Sequence, residues 1–285
     1  MPRPPLLKLS ASLALLTAVG CGSSDAQGPA AATPAVCEAP GYHVDSSAIR
    51  IETVHASIVL PSGEAASELP VQVCGLNVCN LYNALPNGEL HVEPRTMMVL
   101  PALKYGDGFD FAELAAPLSE LNEDVGTLVA LPLPSYAEGA KFPEPGGGTV
   151  TNGDLTLHLD ANVSIEHDLL SYSDDSELVF RSVPVPVAES PQALPPSFGF
   201  ELAYGLAPLG TTFCPAAKLS LPNSLNWPPG SEIEVFVQGL DVAEKWAPYA
   251  TWQPVAEARV SANGKSIDTT SGGIPILSSI ALRRK

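Results

Sequence analysis

Short apolar segments with a two-residue period are the feature that most constrains the fold of this chain. In residues 155–159, three leucines alternate with Thr156 and His158. Side chains that alternate in this way project to opposite faces of a half-buried β-strand. Similar alternation occurs in residues 49–51, 71–73, 90–92, 178–180 and 233–237. Asn-Gly, Pro-Gly and Gly-Gly pairs punctuate the segments as turns. The pattern predicts an all-β protein built from two antiparallel β-sandwich modules.

Composition supports this fold class and excludes one class of partner. The chain has 285 residues, 45% of them hydrophobic, which is enough for one to three domains with a sizeable core. Its 29 prolines disfavour a helical bundle. The formal charge of −17 argues against a nucleic-acid partner, because phosphate binding needs clustered Lys and Arg. The one helix-like spacing is in residues 109–121, where Leu114, Leu118 and Leu121 share a face and Pro117 limits the helix.

The N-terminus has the pattern of an export signal followed by an anchor. Arg3 and Lys8 precede an apolar stretch, residues 9–19, that is too short to span a bilayer, which needs roughly 20 residues. The sequence Ala-Val-Gly-Cys that ends at Cys21 resembles the lipobox of bacterial lipoproteins. The resemblance implies a signal peptide over residues 1–20 and acylation of Cys21. Residues 21–46 are then a lipidated, flexible tether rich in small residues and Pro.

The residue after the acylated cysteine implies a location in the cell envelope. Gly22, rather than Asp, follows Cys21, and in Gram-negative lipoproteins of this type that favours sorting to the outer membrane. The chain would then face either the periplasm or the cell surface, with the membrane itself as one partner through the lipid anchor.

The remaining four cysteines are an even number in an exported chain, which favours disulfides. Four cysteines allow three pairings. Cys74 and Cys79 flank a Gly-Leu-Asn segment that could turn the chain, so we expect them to pair, which leaves Cys37 for Cys214. A zinc site is the alternative, but the chain lacks a C-x₂-C pair with a nearby His pair.

Two families resemble successive parts of the chain. Residues 56–66, 69–74 and 85–90 follow the strand and turn order of the carboxypeptidase regulatory-like domain, a transthyretin-like β-sandwich, with Asn87 where Asp is usual. That resemblance covers residues 47–132 and implies a non-catalytic module. A break rich in Pro and Gly, residues 133–146, is the predicted linker.

The second resemblance covers the rest of the chain. Gly147-Gly148-Thr149-Val150 and the stretch 208–222 are similar to signatures of ZU5-like domains, whereas residues 160–164 depart from that pattern. We therefore expect a ZU5-like β domain with a C-terminal β extension over residues 147–285. In such families these modules mediate contacts or pack against neighbours.

Motifs that would carry catalysis or hold a cofactor are not found in the sequence. The five histidines form no close metal-binding pair of the H-E-x-x-H kind, and there is no G-x-S-x-G and no glycine-rich phosphate loop. The acidic segments 107–110 and 174–177 could hold Ca²⁺, although a solvated loop is the simpler interpretation. We therefore predict no catalytic residues, no metal and no cofactor.

Aromatic residues concentrate near the C-terminus, at Trp227, Trp246, Tyr249 and Trp252. If exposed, they could form a stacking surface for a sugar or a peptide. If buried, they are the core of the last sandwich, which is the interpretation we favour.

The leading hypothesis is a non-enzymatic outer-membrane lipoprotein with a structural or binding role and a protein or glycan partner. A carbohydrate- or peptide-binding module that uses the aromatic residues is the alternative. A hydrolase with an unrecognised site is the third hypothesis.

Substitution of Cys21 by alanine tests the anchor. We expect Cys21→Ala to abolish incorporation of radiolabelled palmitate and to release the protein from the membrane fraction, because the thiol that carries the acyl chains is gone. Ser24→Ala, which leaves Cys21 and the other cysteines intact, is the matched control. Labelling that survives in Cys21→Ala would contradict the lipobox assignment.

Overall fold

The computed structural model describes residues 37, 39, 47–119, 121–143, 147–241 and 245–285. The predicted signal peptide, Cys21 and nearly all of the tether lie outside these residues. Pro34–Lys285 form one compact unit. We call residues 47–132 the N-terminal half and residues 133–285 the C-terminal half.

The all-β prediction is confirmed. The regular structure of the described residues consists of strands and three short 3₁₀ turns, at Tyr136–Glu138, Val187–Glu189 and Pro196–Phe198. The strand Leu155–Leu159 shows why the alternation was informative, since its three leucines are buried while His158 is exposed.

The N-terminal half forms three small sheets. One pairs β1 with β6, the second has the order β5-β2-β9, and the third has the order β4-β3-β7-β8. The strands are β1 Ala48–Ile51, β2 Thr53–Val59, β3 Pro70–Gly75, β4 Val78–Asn83, β5 Glu89–Val92, β6 Thr96–Val99, β7 Ala102–Tyr105, β8 Leu114–Pro117 and β9 Asn122–Val129.

Two features of these sheets bear on the predictions. The Asn87-Gly88 turn leads into β5, and Gly88 has φ +79°, a conformation that favours glycine. The pairing of β2 with β9 is parallel, which corrects the expectation of purely antiparallel sheets. The chain passes through β3–β8 before it returns as β9 beside β2, and a connection of that length permits a parallel neighbour.

The C-terminal half forms one large sheet. Its order is β10-β14-β15-β21-β17-β18-β19-β16-β12-β11, with β13 and β20 also paired to β16. Its strands are β10 Ala140–Lys141, β11 Gly148–Asn152, β12 Leu155–Leu159, β13 Ser164–Glu166, β14 Val179–Pro184, β15 Leu202–Ala207, β16 Thr212–Pro222, β17 Glu232–Gln238, β18 Trp252–Val260, β19 Ser266–Gly272, β20 Ile274–Ile276 and β21 Ile280–Arg284.

The last strand of this sheet, β11, lies close to the second strand, β14. The buried Asn152 at the end of β11 accepts a hydrogen bond from the backbone N–H of Ser182 on β14 (2.8 Å). The hydroxyl of Ser182 in turn donates to the carbonyl of Asn152 (2.7 Å). These bonds join β11 to β14 and satisfy polar groups that are buried there.

Two local predictions were wrong. Part of the predicted linker belongs to the large sheet, because β10 pairs with β14. The described residues of the segment 109–121 do not form a helix: they contain β8, which pairs with β7. The leucine spacing was misleading because Leu114 and Leu118 are buried whereas Leu121 is 55% exposed. Pairing with β7 prevailed over the weak helical pattern.

Both halves contribute to one hydrophobic core. Val54, Tyr105 and Leu128 of the N-terminal half pack in the same cluster as Phe236 and Trp252 of the C-terminal half. A second cluster lies inside the large sheet. The shared core explains why the described residues after Pro34 form one compact unit.

The structure contains two disulfides, Cys74–Cys79 and Cys37–Cys214. Cys74 and Cys79 face each other across the β3–β4 hairpin. Cys37 and Cys214, with Cα atoms 5.7 Å apart, tie the region before β1 to β16. Disulfides indicate an extracellular or cell-envelope protein. Among the described residues, no helix has the length and apolarity to cross a membrane.

The two disulfides should differ in their effect on stability. Cys37 and Cys214 are 177 residues apart, whereas Cys74 and Cys79 are five apart, so the first bond restricts the unfolded chain more strongly. We expect the double substitution to serine at Cys37 and Cys214 to lower the free energy of unfolding by about 2–5 kcal/mol in urea titrations. The matched control replaces Cys74 and Cys79. A larger loss in that control would contradict the loop-length argument.

Candidate binding site

A cavity of about 300 Å³ lies where the two halves meet. Its walls come from β3, β7 and the loop before β8 on one side, and from four loops and β20 of the C-terminal half on the other. The lining residues that carry polar groups are Gln72, Lys104, Asp107, Glu113, Asp168, Ser171, Tyr172, Asp241 and Ser278. We call this feature the acidic cavity.

A buried ion pair forms one wall of the acidic cavity. Lys104 on β7 and Glu113, just before β8, approach to 2.5 Å between Nζ and Oε1, and their side chains are only 11% and 5% exposed. Lys104 Nζ also donates to the backbone carbonyl of Leu240 (2.9 Å). Burial raises the pKa of the Glu113 carboxyl, and the neighbouring ammonium of Lys104 opposes that shift.

Two further carboxylates of the cavity are held by short-range hydrogen bonds. Asp107 Oδ1 accepts the backbone N–H groups of Phe109, Asp110 and Phe111, at 2.8–2.9 Å. Asp168 accepts the Ser171 hydroxyl at 2.6 Å. These bonds fix the carboxylates before any ligand arrives, which lowers the entropy cost of binding.

The charge of the lining is strongly negative. Asp107, Glu113, Asp168 and Asp241 supply four carboxylates against the single ammonium of Lys104. A concave surface of one sign concentrates the opposite charge, so the acidic cavity attracts cations. The Lys104 ammonium and the amide of Gln72 add hydrogen-bond donors for oxygen atoms of a ligand.

Tyr172 closes one side of the cavity. Its hydroxyl donates to the Gly108 carbonyl (2.9 Å) and accepts the backbone N–H of Leu209 (2.8 Å). Burial raises the pKa of this phenol, so it stays protonated as a donor. Phe109 packs against its ring with centroids 4.9 Å apart. The wall is therefore apolar and rigid, as in most small-molecule sites.

The two acidic segments considered as possible Ca²⁺ sites, 107–110 and 174–177, lie in different parts of the structure. Asp107 lines the acidic cavity, whereas segment 174–177 forms a turn in which Asp174 accepts the N–H of Ser176. Within the described residues, no three His, Cys, Asp or Glu side chains converge as metal ligands. The described histidines lie outside the cavity lining, and His167 bonds the Thr211 hydroxyl (3.0 Å).

The aromatic platform considered for Trp227, Trp246, Tyr249 and Trp252 is not formed. Trp227, Tyr249 and Trp252 are at most 6% exposed and belong to three different core clusters. The indole of Trp252 donates to the Ala193 carbonyl (2.8 Å), and that of Trp227 donates to Glu201 (3.2 Å). Trp246 is half-buried against the second cluster. Their apolar area stabilises the core, so it is not available to a ligand.

Sequence reasoning missed most of the acidic cavity. Lys104, Glu113, Asp168 and Asp241 come from separated parts of the chain and share no spacing that marks a site. The only local sign was Asp107, in the segment already considered for a cation. Tertiary packing alone brings the four carboxylates together.

The chain has little detectable similarity to known proteins. No known family and no curated protein matches the chain. One solved structure, a protein of Bacteroides uniformis proposed to bind carbohydrate, aligns over 81% of this chain and 78% of its own. The alignment has 8% identity and a TM-score of 0.18.

Substitution of Lys104 tests the buried ion pair. We expect Lys104→Met to lower the free energy of unfolding by about 3–5 kcal/mol at pH 7, because the Glu113 carboxylate is left buried without its counter-charge. The loss should shrink as the pH falls, since a protonated Glu113 needs no partner. Arg259→Met, at the exposed Arg259–Glu232 pair, is the control and should cost at most about 1 kcal/mol. Equal losses in the two variants would contradict this account.

Proposed function

We propose that this chain is an exported, lipid-anchored, non-enzymatic protein of the cell envelope that binds a small cationic ligand in the acidic cavity. The anchor and the outer-membrane address rest on the lipobox resemblance at Cys21. The disulfides support the compartment, because such bonds persist in oxidising surroundings.

The binding proposal rests on one observation. The buried Lys104–Glu113 pair borders a cavity that three further carboxylates line. Buried charges are costly, and carboxylates that converge on one space repel one another. A ligand with a positive charge relieves that repulsion. The lining is therefore better matched to an occupied cavity than to an empty one.

The polar groups narrow the chemistry of the ligand. Carboxylates accept hydrogen bonds from an ammonium or from hydroxyl groups, whereas Lys104 and Gln72 can donate to oxygen atoms. Phe109 and Leu209 offer apolar contact for carbon atoms of the ligand. A hydroxylated amine of about six to ten carbon atoms fits a cavity at the small end of the usual range of 300–1,000 Å³. An amino sugar has this chemistry, which also fits a glycan partner.

The non-enzymatic part of the proposal rests on how the cavity's groups are engaged. Glu113 and Lys104 neutralise each other, and Asp107 and Asp168 accept bonds from their own loops. General acid–base catalysis needs a group with a proton to exchange with the substrate. Groups committed to one another in this way favour recognition over chemistry.

Calorimetric titration with glucosamine, and with N-acetylglucosamine as its uncharged counterpart, tests the proposal. At pH 6.5 we expect glucosamine to bind at least tenfold more tightly, because only its amine is charged. Asp168→Asn and Asp241→Asn should each weaken that binding at least threefold. Asp154→Asn, an exposed turn residue outside the cavity lining, is the control. Equal binding of the two sugars, or no change in the cavity variants, would contradict the proposal.

A further inference from the structure

Two histidines face each other on the open surface of the β5-β2-β9 sheet, away from the acidic cavity. His55 of β2 lies directly opposite His91 of β5 in the strand register. Their imidazole centroids are 4.1 Å apart, with the ring planes at 84°. His91 is exposed and His55 is half-buried, so solvent reaches the rings. We call these residues the histidine pair.

The hydrogen-bond pattern places the histidine pair at a site of close approach. The Ile58 N–H donates to the Gly88 carbonyl (2.8 Å), which makes Ile58–Gly88 a hydrogen-bonded position of the ladder. Bonded and non-bonded positions alternate along an antiparallel pair. His55–His91, three positions further along, is therefore non-bonded, with Cα atoms about 4.5 Å apart and side chains closer than at bonded positions.

Carboxylates surround the histidine pair. Asp124 of β9 lies beside His55 in the parallel register, and Glu89 lies two residues before His91 on the same face of β5. These residues, together with Ser57 and Thr127, line a shallow groove of about 360 Å³. The two carboxylates make the electrostatic potential of the groove negative, so the groove attracts cations.

We infer that the histidine pair binds a divalent transition-metal ion such as Zn²⁺ or Cu²⁺. Imidazole is a preferred ligand of both ions. A tetrahedral zinc ion holds two ligating nitrogens about 3.4 Å apart, given Zn–N distances of about 2.0–2.1 Å. Ring centroids 4.1 Å apart are compatible with that separation after rotation of the rings about χ2. The rigid strands supply the second ligand at high effective concentration once the first has bound.

The remaining coordination positions stay open to water or to a ligand from solution. Two protein ligands are fewer than the four of a closed structural zinc site, so the ion remains exchangeable. The face is otherwise well paired: Thr53 donates to Asn122 in the neighbouring row (3.0 Å), and Arg95 contacts Glu93. The two imidazoles are thus the side chains on this face with the chemistry to select a transition metal over Mg²⁺ or Ca²⁺.

Metal titration of the untagged full chain tests the inference. We expect saturable Zn²⁺ binding by calorimetry that His55→Ala and His91→Ala each weaken at least tenfold, with melting temperatures close to that of the wild type. His158→Ala removes a single exposed histidine from another sheet and should bind Zn²⁺ like the wild type. Loss of less than tenfold in either variant of the pair, or equal competition by Mg²⁺, would overturn the inference.

Electron paramagnetic resonance with Cu²⁺ gives an independent readout. The wild-type spectrum should show hyperfine coupling to nitrogens of two imidazoles, and His91→Ala should show coupling to one. A spectrum without imidazole nitrogen coupling in the wild type would mean that the two rings make only an edge-to-face contact, and it would overturn the inference.

Discussion

The edge of strand β8, which no strand of its own sheet covers, is the constraint on which the arrangement of the two halves depends. β8 is the last strand of the sheet β4-β3-β7-β8, so one row of its backbone N–H and C=O groups has no neighbouring strand in that sheet. The fully buried Gln238 supplies the missing partner: its amide accepts the N–H of Ala115 (3.2 Å) and donates to the carbonyl of Ala115 (2.8 Å). A primary amide can imitate one residue of a strand in this way. The backbone groups of Ala115 are thereby satisfied without another strand, which opposes pairing with another chain at this point of the edge.

Side chains of the C-terminal half also donate hydrogen bonds to backbone carbonyls of the segment before β8. The hydroxyl of Ser279 donates to the Glu113 carbonyl (2.8 Å), and the guanidinium of Arg181 donates to the Phe109 carbonyl (2.6 Å). Arg181 is 1% exposed and stacks over the ring of Tyr136 at 4.0 Å. Buried carbonyls need donors, and the C-terminal half provides them here as side chains. The acidic cavity lies along this junction, which explains why its walls come from both halves.

The sequence contained enough information for the fold class and much less for the tertiary arrangement. Alternation at positions such as Leu155 and Leu157 reports which face of a strand is buried, and that local signal predicted the sheets correctly. The parallel pairing of β2 with β9 has no local signal, because it depends on the path of the chain through six other strands. The same holds for the Lys104–Glu113 pair, whose members gain their burial only when the C-terminal half covers them. The aromatic residues show the converse: their clustering in the sequence suggested one surface, yet Trp227 and Trp252 lie in different cores.

The two candidate sites differ in the chemistry that they can select, and this follows from where each lies in the fold. The acidic cavity is partly closed by walls from both halves, so its charges act more strongly than on an open surface and favour an extended organic cation with hydroxyl groups. The histidine pair lies on an open sheet face, where water weakens Coulomb forces and selectivity has to come from coordinate bonds to nitrogen. Strand register supplies those nitrogens at a fixed spacing without any enclosure. A chain with a charge of −17 attracts cations in general. Specificity for one cation needs either a cavity that fits the ligand or an atom that coordinates the metal, such as an imidazole nitrogen. The structure provides one of these at each site, and the two sites share no residue.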